Sequence, residues 1–283
     1  MTTPRLSAWR EAASADGSVI PWRIGEDEGA PLLLVPGLGN SSRLFGTLPR
    51  SLARLGWKPL LFDPPGLGRA TDATRPWSFD AAIDDLLRVL DAAGIERATF
   101  LGTSMGGKLS IGFAARHPER IERAILYGTE CLGGVRARAV YDMFDVAFRL
   151  ASAGETVRAL RPFLFGRSFQ EEHASIVADM MRSYSPSDSE KRTSLAQVAA
   201  MKTVDFASLL EHVHAPMLLH AGLEDTLVDP ADIHATAKRL PQGVARDVPR
   251  AGHSMLLENP SACLEALRDR GRDDDRSHNT SRQ

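Results

Sequence analysis

The chain of 283 residues has few cysteines, little net charge and no long apolar run. Its two cysteines, Cys131 and Cys263, lie far apart and form no CxxC pair, so neither a disulfide framework nor a zinc site is indicated. The formal net charge of -2 provides no general attraction to nucleic acid or to an anionic membrane. No apolar run approaches the roughly 18 residues of a membrane span, and the first residues contain no apolar signal segment. We therefore expect a cytoplasmic protein that binds neither nucleic acid nor membrane.

Apolar segments of strand length alternate along the chain with segments of helical period. A hairpin is predicted first, over residues 9–13 and 19–24, because the Asp16-Gly17 pair between them favours a tight turn. Further strands are predicted at 31–35, 59–62, 98–101, 123–127, 216–220 and 245–248, and helices at 44–55, 79–90, 105–117, 230–240 and 260–267. This alternation predicts an α/β protein with a mostly parallel eight-stranded sheet and helices on both faces.

The alternation is interrupted by residues 131–205, which we call the helical insertion. It contains no convincing strand and its pattern predicts three to five helices. Its apolar residues are rich in aromatics and methionine: Tyr141, Met143, Phe144, Phe148, Phe163, Phe165, Phe169, Met180, Met181 and Tyr184. Most would pack between helices, and a few would line a cavity. The predicted organisation is a core of residues 1–130 and 206–268, the insertion, and a disordered charged tail, 269–283.

A serine lies where a predicted strand passes directly into a predicted helix, in Gly102-Thr103-Ser104-Met105-Gly106. Such a turn lifts the Ser104 hydroxyl above the sheet edge, and the flanking glycines let the backbone pass without a Cβ clash. A serine hydroxyl is a weak nucleophile until a base removes its proton, and the base needs a carboxylate to orient it. The pattern therefore predicts a histidine and an acid at the same edge.

His253 and Asp225 are the candidates for base and acid, since each follows the end of a predicted strand, where open α/β sheets place their sites. His220, which ends a strand, is an alternative base. Glu130 and Asp229 are alternative acids, because they too lie in loops after strands.

Attack on a carbonyl produces an oxyanion, which needs backbone N–H donors already directed at it. The amide of Met105, next to the candidate nucleophile, is one such donor. The amide of Leu38, in the Pro36-Gly37-Leu38-Gly39 loop after a strand, is the second.

With these motifs the chain resembles the α/β-hydrolase fold family, over about residues 17–268. The segments that carry the resemblance are PGLG (36–39), DPPGLG (63–68), GTSMGG (102–107), HPERI (117–121), GLED (222–225) and GHSMLLENP (252–260). The layout is similar to that of the capped esterases, enol-lactonases and carbon-carbon bond hydrolases, with the insertion as a helical cap. Two features depart from the family: Pro36 stands where many members have histidine, and the last helix gives way early to the charged tail.

The resemblance implies a serine hydrolase that cleaves an ester or lactone of a small to medium apolar substrate without metal or organic cofactor. Carbon-carbon bond hydrolysis, acyl transfer and perhydrolysis are alternatives on the same residues, as is a non-catalytic ligand-binding member of the fold. A phosphate loop is disfavoured because Leu109 follows Gly102-to-Lys108 in place of the magnesium-binding Ser or Thr. Dinucleotide binding is disfavoured because Ser42 replaces the third glycine after Gly37 and Gly39. The oligomeric state is not indicated.

Overall fold

A computed structural model describes residues 4–72, 75–150, 153–183 and 186–268. Three features expected from the sequence lie outside this part: Tyr184, the Met181 side chain and the charged tail, 269–283. None of the helices in the described ranges is long and apolar enough to cross a membrane.

The strands form one eight-stranded sheet. They are β1 (Arg10–Ala13), β2 (Val19–Ile24), β3 (Ala30–Val35), β4 (Trp57–Phe62), β5 (Ala98–Thr103), β6 (Ile121–Tyr127), β7 (Met217–Gly222) and β8 (Gly243–Val248). Their order is β1-β2-β4-β3-β5-β6-β7-β8. The β1–β2 and β2–β4 pairs are antiparallel and all other pairs are parallel, which confirms the predicted hairpin and the mostly parallel sheet.

Helices lie on both faces of the sheet and along one edge. They are α1 (Leu48–Arg54), α2 (Phe79–Ala92), α3 (Met105–Arg116), α4 (Val135–Leu150), α5 (Ala153–Leu164), α6 (Arg167–Glu172), α7 (Ala174–Ser183), α8 (Asp188–Met201), α9 (Pro230–Arg239), α10 (Met255–Glu258) and α11 (Pro260–Arg268). The prediction of a single helix over residues 44–55 is wrong. A 3-10 turn, Ser42–Phe45, precedes α1, and Gly46 with φ 44° separates the two.

Strand β3 shows why the sheet is covered on both sides. Its Leu33 and Val35 belong to one apolar cluster with α2, α3 and α9, whereas Leu32 and Leu34 belong to a second cluster with α1 and α11. Successive side chains of a strand point to opposite faces, so a continuous apolar run must be buried from both sides. All four side chains are fully buried.

The helical insertion provides α4 to α8 between β6 and β7. It contacts loops that follow several strands: Gln197 Oε1 accepts a hydrogen bond from the Gly39 amide after β3, and Glu190 accepts one from Gly68 after β4. On the β8 side of the sheet, the Leu164 carbonyl accepts a hydrogen bond from the amide of Ser254, in the loop after β8. The insertion therefore lies along the edge where the parallel strands end.

Candidate active site

Ser104 adopts a conformation that is rare for a residue with a side chain, with φ 52° and ψ -118°. A Cβ on Gly106 would lie 2.2 Å from the Val35 carbonyl oxygen, and one on Gly102 would lie 2.8 Å from the Gly106 carbonyl oxygen. Both glycines are therefore required by close backbone approach, as the sequence predicts. A strained backbone of this kind costs about 1–3 kcal/mol and persists only where the surrounding structure enforces it.

The Ser104 turn is bonded to the end of β6. The Ser104 amide donates to the Tyr127 carbonyl at 2.8 Å, and the Thr129 hydroxyl donates to the Ser104 carbonyl at 3.0 Å. The next residue after Tyr127 is Gly128, and a Cβ placed there would lie 2.9 Å from Nδ1 of His253. The serine turn and the histidine ring therefore pack against consecutive residues, the last of β6 and the first after it.

His253 and Asp225 are hydrogen-bonded, with 2.8 Å between Nδ1 and Oδ2. The Asp225 side chain is fully buried, and its Oδ1 accepts hydrogen bonds from the amides of Leu227 and Val228, both at 2.9 Å. Because a carboxylate only accepts, Nδ1 of His253 carries the proton and Nε2 is the free ring nitrogen.

Two opposing effects act on the pKa of His253. Burial lowers it, but the charge of Asp225, the hydrogen bond to Asp225 and the charge of Glu258 outweigh burial, so the pKa lies above the ordinary value of 6.5. The imidazolium is therefore stabilised at this position.

The alternative acids and the alternative base have other partners. Glu130 Oε1 lies 2.9 Å from Lys108 Nζ, and its Oε2 accepts a hydrogen bond from the Gly133 amide. The Asp229 side chain caps α9 through the Ala231 amide at 2.9 Å. His220 stacks on the buried Tyr127 ring, and burial together with the charge of Arg246 lowers its pKa to about 4. Of the candidate acids, the structure places Asp225 against His253.

Lys108 and Asp63, which belong to the phosphate-loop and dinucleotide-binding patterns, make contacts inside the protein. Lys108 is buried and donates to the carbonyl and the carboxylate of Glu130. Burial alone would lower the pKa of Lys108, but the neighbouring Cys131, Tyr141 and Glu130 raise it. Asp63, fully buried, accepts hydrogen bonds from the amides of Ser42 and Arg69. Within the described part of the chain, no group of three or more His, Cys, Asp or Glu side chains could hold a metal ion.

The loop that carries Leu38 runs beside the serine turn. A Cβ on Gly37 would lie 3.4 Å from Ser104 Cβ and 3.1 Å from the Thr103 carbonyl oxygen. The amide of Met105 belongs to the first residue of α3, where helix N–H groups have no intrahelical partner. Both predicted oxyanion donors thus belong to backbone next to Ser104. Sequence reasoning missed Gln197, which holds this loop through the Gly39 amide at 2.8 Å, because nothing in the sequence links positions so far apart.

A small cavity of about 30 Å³ borders the same backbone. It is lined mainly by apolar side chains, among them Pro36, Phe62, Trp77, Leu86, Met105 and Leu109. This volume holds one or two water molecules.

The fold agrees with the comparison to known proteins. The family model for the alpha/beta hydrolase fold matches residues 30–260, so the chain belongs to that family of enzymes.

The sequence identity between this chain and individual relatives is low. The chain is 27% identical over 245 residues to the "Putative carbamate hydrolase RutD" of Caulobacter sp. (strain K31), covering 83% of this chain and 88% of that protein. Among solved structures, it is similar to the enol-lactonase from Burkholderia xenovorans LB400, with 25% identity, a TM-score of 0.80, and coverage of 92% and 98% of the two chains. A thermophilic esterase from Thermogutta terrifontis shares the fold, with 22% identity, a TM-score of 0.79, and coverage of 93% and 97%.

The buried Lys108–Glu130 pair yields a prediction about stability. Lys108→Met leaves the Glu130 carboxylate buried without its cation, so the free energy of unfolding should fall by about 3–5 kcal/mol in urea denaturation. In the double variant Lys108→Met/Glu130→Gln the uncompensated charge is gone, and much of this loss should be recovered.

Arg167→Met, which removes the exposed Arg167–Glu171 pair on α6, serves as the control and should leave the urea midpoint almost unchanged. If the double variant is no more stable than Lys108→Met, the uncompensated charge of Glu130 is not the cause of the lost stability.

Proposed function

We propose that this protein is a serine hydrolase that cleaves a carboxylic ester or lactone through Ser104, His253 and Asp225. The observation that carries the proposal is the His253–Asp225 hydrogen bond, formed beside the loop to which the Ser104 turn is bonded. The chemistry such a set performs is acyl transfer to serine and then to water.

In the proposed mechanism, Ser104 Oγ attacks the carbonyl carbon while His253 Nε2 takes the hydroxyl proton. Asp225 keeps the imidazole in the required tautomer and stabilises the imidazolium. The Leu38 and Met105 amides donate to the oxyanion, and each such donor contributes about 3 kcal/mol. His253 then returns the proton to the leaving alcohol oxygen. In the second half, water attacks the acyl-enzyme with the same base, and Ser104 regains its proton.

We further propose that the helical insertion acts as a cap and that the substrate is apolar. Phe144, Phe148 and Met201 of the insertion belong to the same apolar cluster as Met105. A Cβ on Gly39 would lie 3.7 Å from the Phe148 ring, so this side chain reaches the loop that carries Leu38. The mainly apolar lining of the small cavity next to Met105 also favours an apolar substrate. The enol-lactonase likeness supports a lactone or ester.

A carbamate is the second candidate substrate class. It is supported by relatives named as carbamate hydrolases, of which one from Azorhizobium caulinodans is 28% identical over 243 residues. A carbamate presents the same kind of carbonyl carbon to Ser104 Oγ, so a substrate panel decides between the classes.

Replacing Ser104 by alanine tests the nucleophile. Ser104→Ala should lower turnover of a chromogenic short-chain ester by up to about a millionfold, because alanine has no hydroxyl with which to form the acyl-enzyme. The measurement is kcat/KM on a panel of esters, lactones, carbamates and 1,5-diketones, with a serine-reactive phosphonate located by mass spectrometry.

The matched control is Ser261→Ala on α11, which removes an exposed hydroxyl and should keep full activity. The proposal is abandoned if Ser104→Ala retains most of the activity or if the phosphonate labels another residue.

Substitution of the two competing acids tests the third member of the set. Asp225→Asn should lower kcat by about 10⁴-fold, because an amide no longer stabilises the imidazolium or its tautomer. Glu130→Gln should lower kcat by less than about tenfold when measured below its unfolding temperature, since its carboxylate contacts Lys108 rather than His253. A larger loss for Glu130→Gln would assign the acid to Glu130.

The pH dependence of kcat/KM tests the environment of His253. The base must be neutral to accept the Ser104 proton, so activity falls as the pH drops through the pKa of His253. Because Asp225 and Glu258 raise this pKa, the midpoint of the acid limb should lie above 6.5. Circular dichroism across the same range checks that the loss is not unfolding. A midpoint below 6.5 in the folded enzyme would mean that burial, not the carboxylates, dominates at His253.

A further inference from the structure

One carboxylate outside the Ser104, His253 and Asp225 set binds two distant loops with a single oxygen. Glu258 Oε2 accepts hydrogen bonds from the amides of Gly252 and Gly166, both at 2.8 Å. Gly252 directly precedes His253, and Gly166 is the residue before α6 in the helical insertion. The carboxylate therefore joins the insertion to the loop that carries the histidine.

The two backbones are also in direct contact at these glycines. A Cβ on Gly252 would lie 2.2 Å from the Gly166 nitrogen, and one on Gly166 would lie 2.7 Å from the Gly252 nitrogen. On the other side of His253, the Ser254 amide donates to the Leu164 carbonyl at 3.0 Å. Both chain neighbours of His253 are thus held by residues 164–166 of the insertion.

The same segment contacts the loop of Asp225. Glu224, which directly precedes Asp225, accepts hydrogen bonds from the amide of Ser168 at 2.7 Å and from the Ser168 hydroxyl. Residues 164–168 therefore touch the chain next to both members of the His253–Asp225 pair.

Glu258 carries its charge in a shielded place. No hydrogen-bond partner of its buried Oε1 is found in the part of the chain that the structure describes. Burial raises the pKa of Glu258 above its ordinary value, although the amides of Gly252, Gly166 and Ser254 lower it, and the charge of Asp225 also raises it. Burial raises the pKa of the Cys263 thiol, and the charge of Glu258 raises it further. The same charge adds to the larger effect of Asp225, which raises the pKa of His253 against burial.

We propose that Glu258 is a positioning residue, which holds His253 against Asp225 and makes this alignment depend on the docking of residues 164–168. Its role rests on the proposed serine hydrolase function, because only there does the orientation of His253 enter the rate. Loss of the carboxylate frees the Gly252 and Gly166 amides together, so the histidine loop and the insertion loosen as one unit.

The experiment compares Glu258→Ala, which removes the acceptor, with Glu258→Gln, which keeps an acceptor oxygen but loses the charge. Glu265→Gln, at an exposed site on α11, is the matched control. Glu258→Ala should lower kcat for a short-chain ester by about 10- to 100-fold with little change in KM, since small misplacements of reacting groups are that costly. Hydrogen exchange should accelerate in peptides covering 164–168 and 252–254 together.

Glu258→Gln separates positioning from charge. It should keep most of the exchange protection and most of kcat, while the acid limb of kcat/KM moves to lower pH because the pKa of His253 falls without the Glu258 charge. Glu265→Gln should change none of these quantities.

Ser104→Ala, measured in parallel, distinguishes failure of this inference from failure of the proposed function. If Ser104 is essential but Glu258→Ala has normal kcat, or if only one of the two peptides loses protection, the positioning role is overturned. The role is also overturned if kcat of Glu258→Ala falls only in proportion to its loss of stability and the acid limb of Glu258→Gln is unshifted. If Ser104→Ala remains active, the hydrolase proposal fails instead, and the paired loss of protection alone decides whether Glu258 couples the loops.

Discussion

The close packing of the Ser104 turn against the end of β6 is the constraint on which the site depends. The Ser104 amide is bonded to the Tyr127 carbonyl, and the following residue, Gly128, contacts the His253 ring. Parallel strands end at one edge of the sheet, so loops far apart in sequence meet there. At this edge a side chain on Gly128, Gly106 or Gly102 would enter space already filled by neighbouring atoms, several of them backbone. The arrangement therefore depends on glycine at these three positions as much as on the polar side chains.

The helical insertion touches both sides of this arrangement. Gln197 on α8 binds the amide of Gly39, next to the predicted donor Leu38. Residues 164–168 donate hydrogen bonds to the carboxylates of Glu258 and Glu224 and accept one from the amide of Ser254, close to His253 and Asp225. Hydrogen bonds therefore join the insertion to the sheet edge on both sides of the candidate site.

Much of the fold could be predicted because its signals are local. Continuous apolar runs such as Leu32 to Val35 indicate strands buried on both faces, and the Gly102 and Gly106 positions indicate the serine turn. The sequence favours Asp225 as the acid but leaves Glu130 and Asp229 open as alternatives, because all three follow strands. The three carboxylates differ in which residue each one contacts, and only the folded structure shows that Asp225 contacts His253. The contacts of Gln197 and Glu258 could not be predicted for the same reason, although Glu258 lies within the segment GHSMLLENP.

The glycine contact between positions 166 and 252 limits how this enzyme can be re-engineered. Exchanging the five-helix segment for that of another family member would give a chimera with different helices along this edge of the sheet. Such a chimera must nevertheless keep a residue without a side chain at each of these two positions, together with the carbonyl of Leu164. Junctions between parent sequences therefore belong within α4 or α8, away from residues 164–168, because a graft that displaces this short stretch would also displace the imidazole.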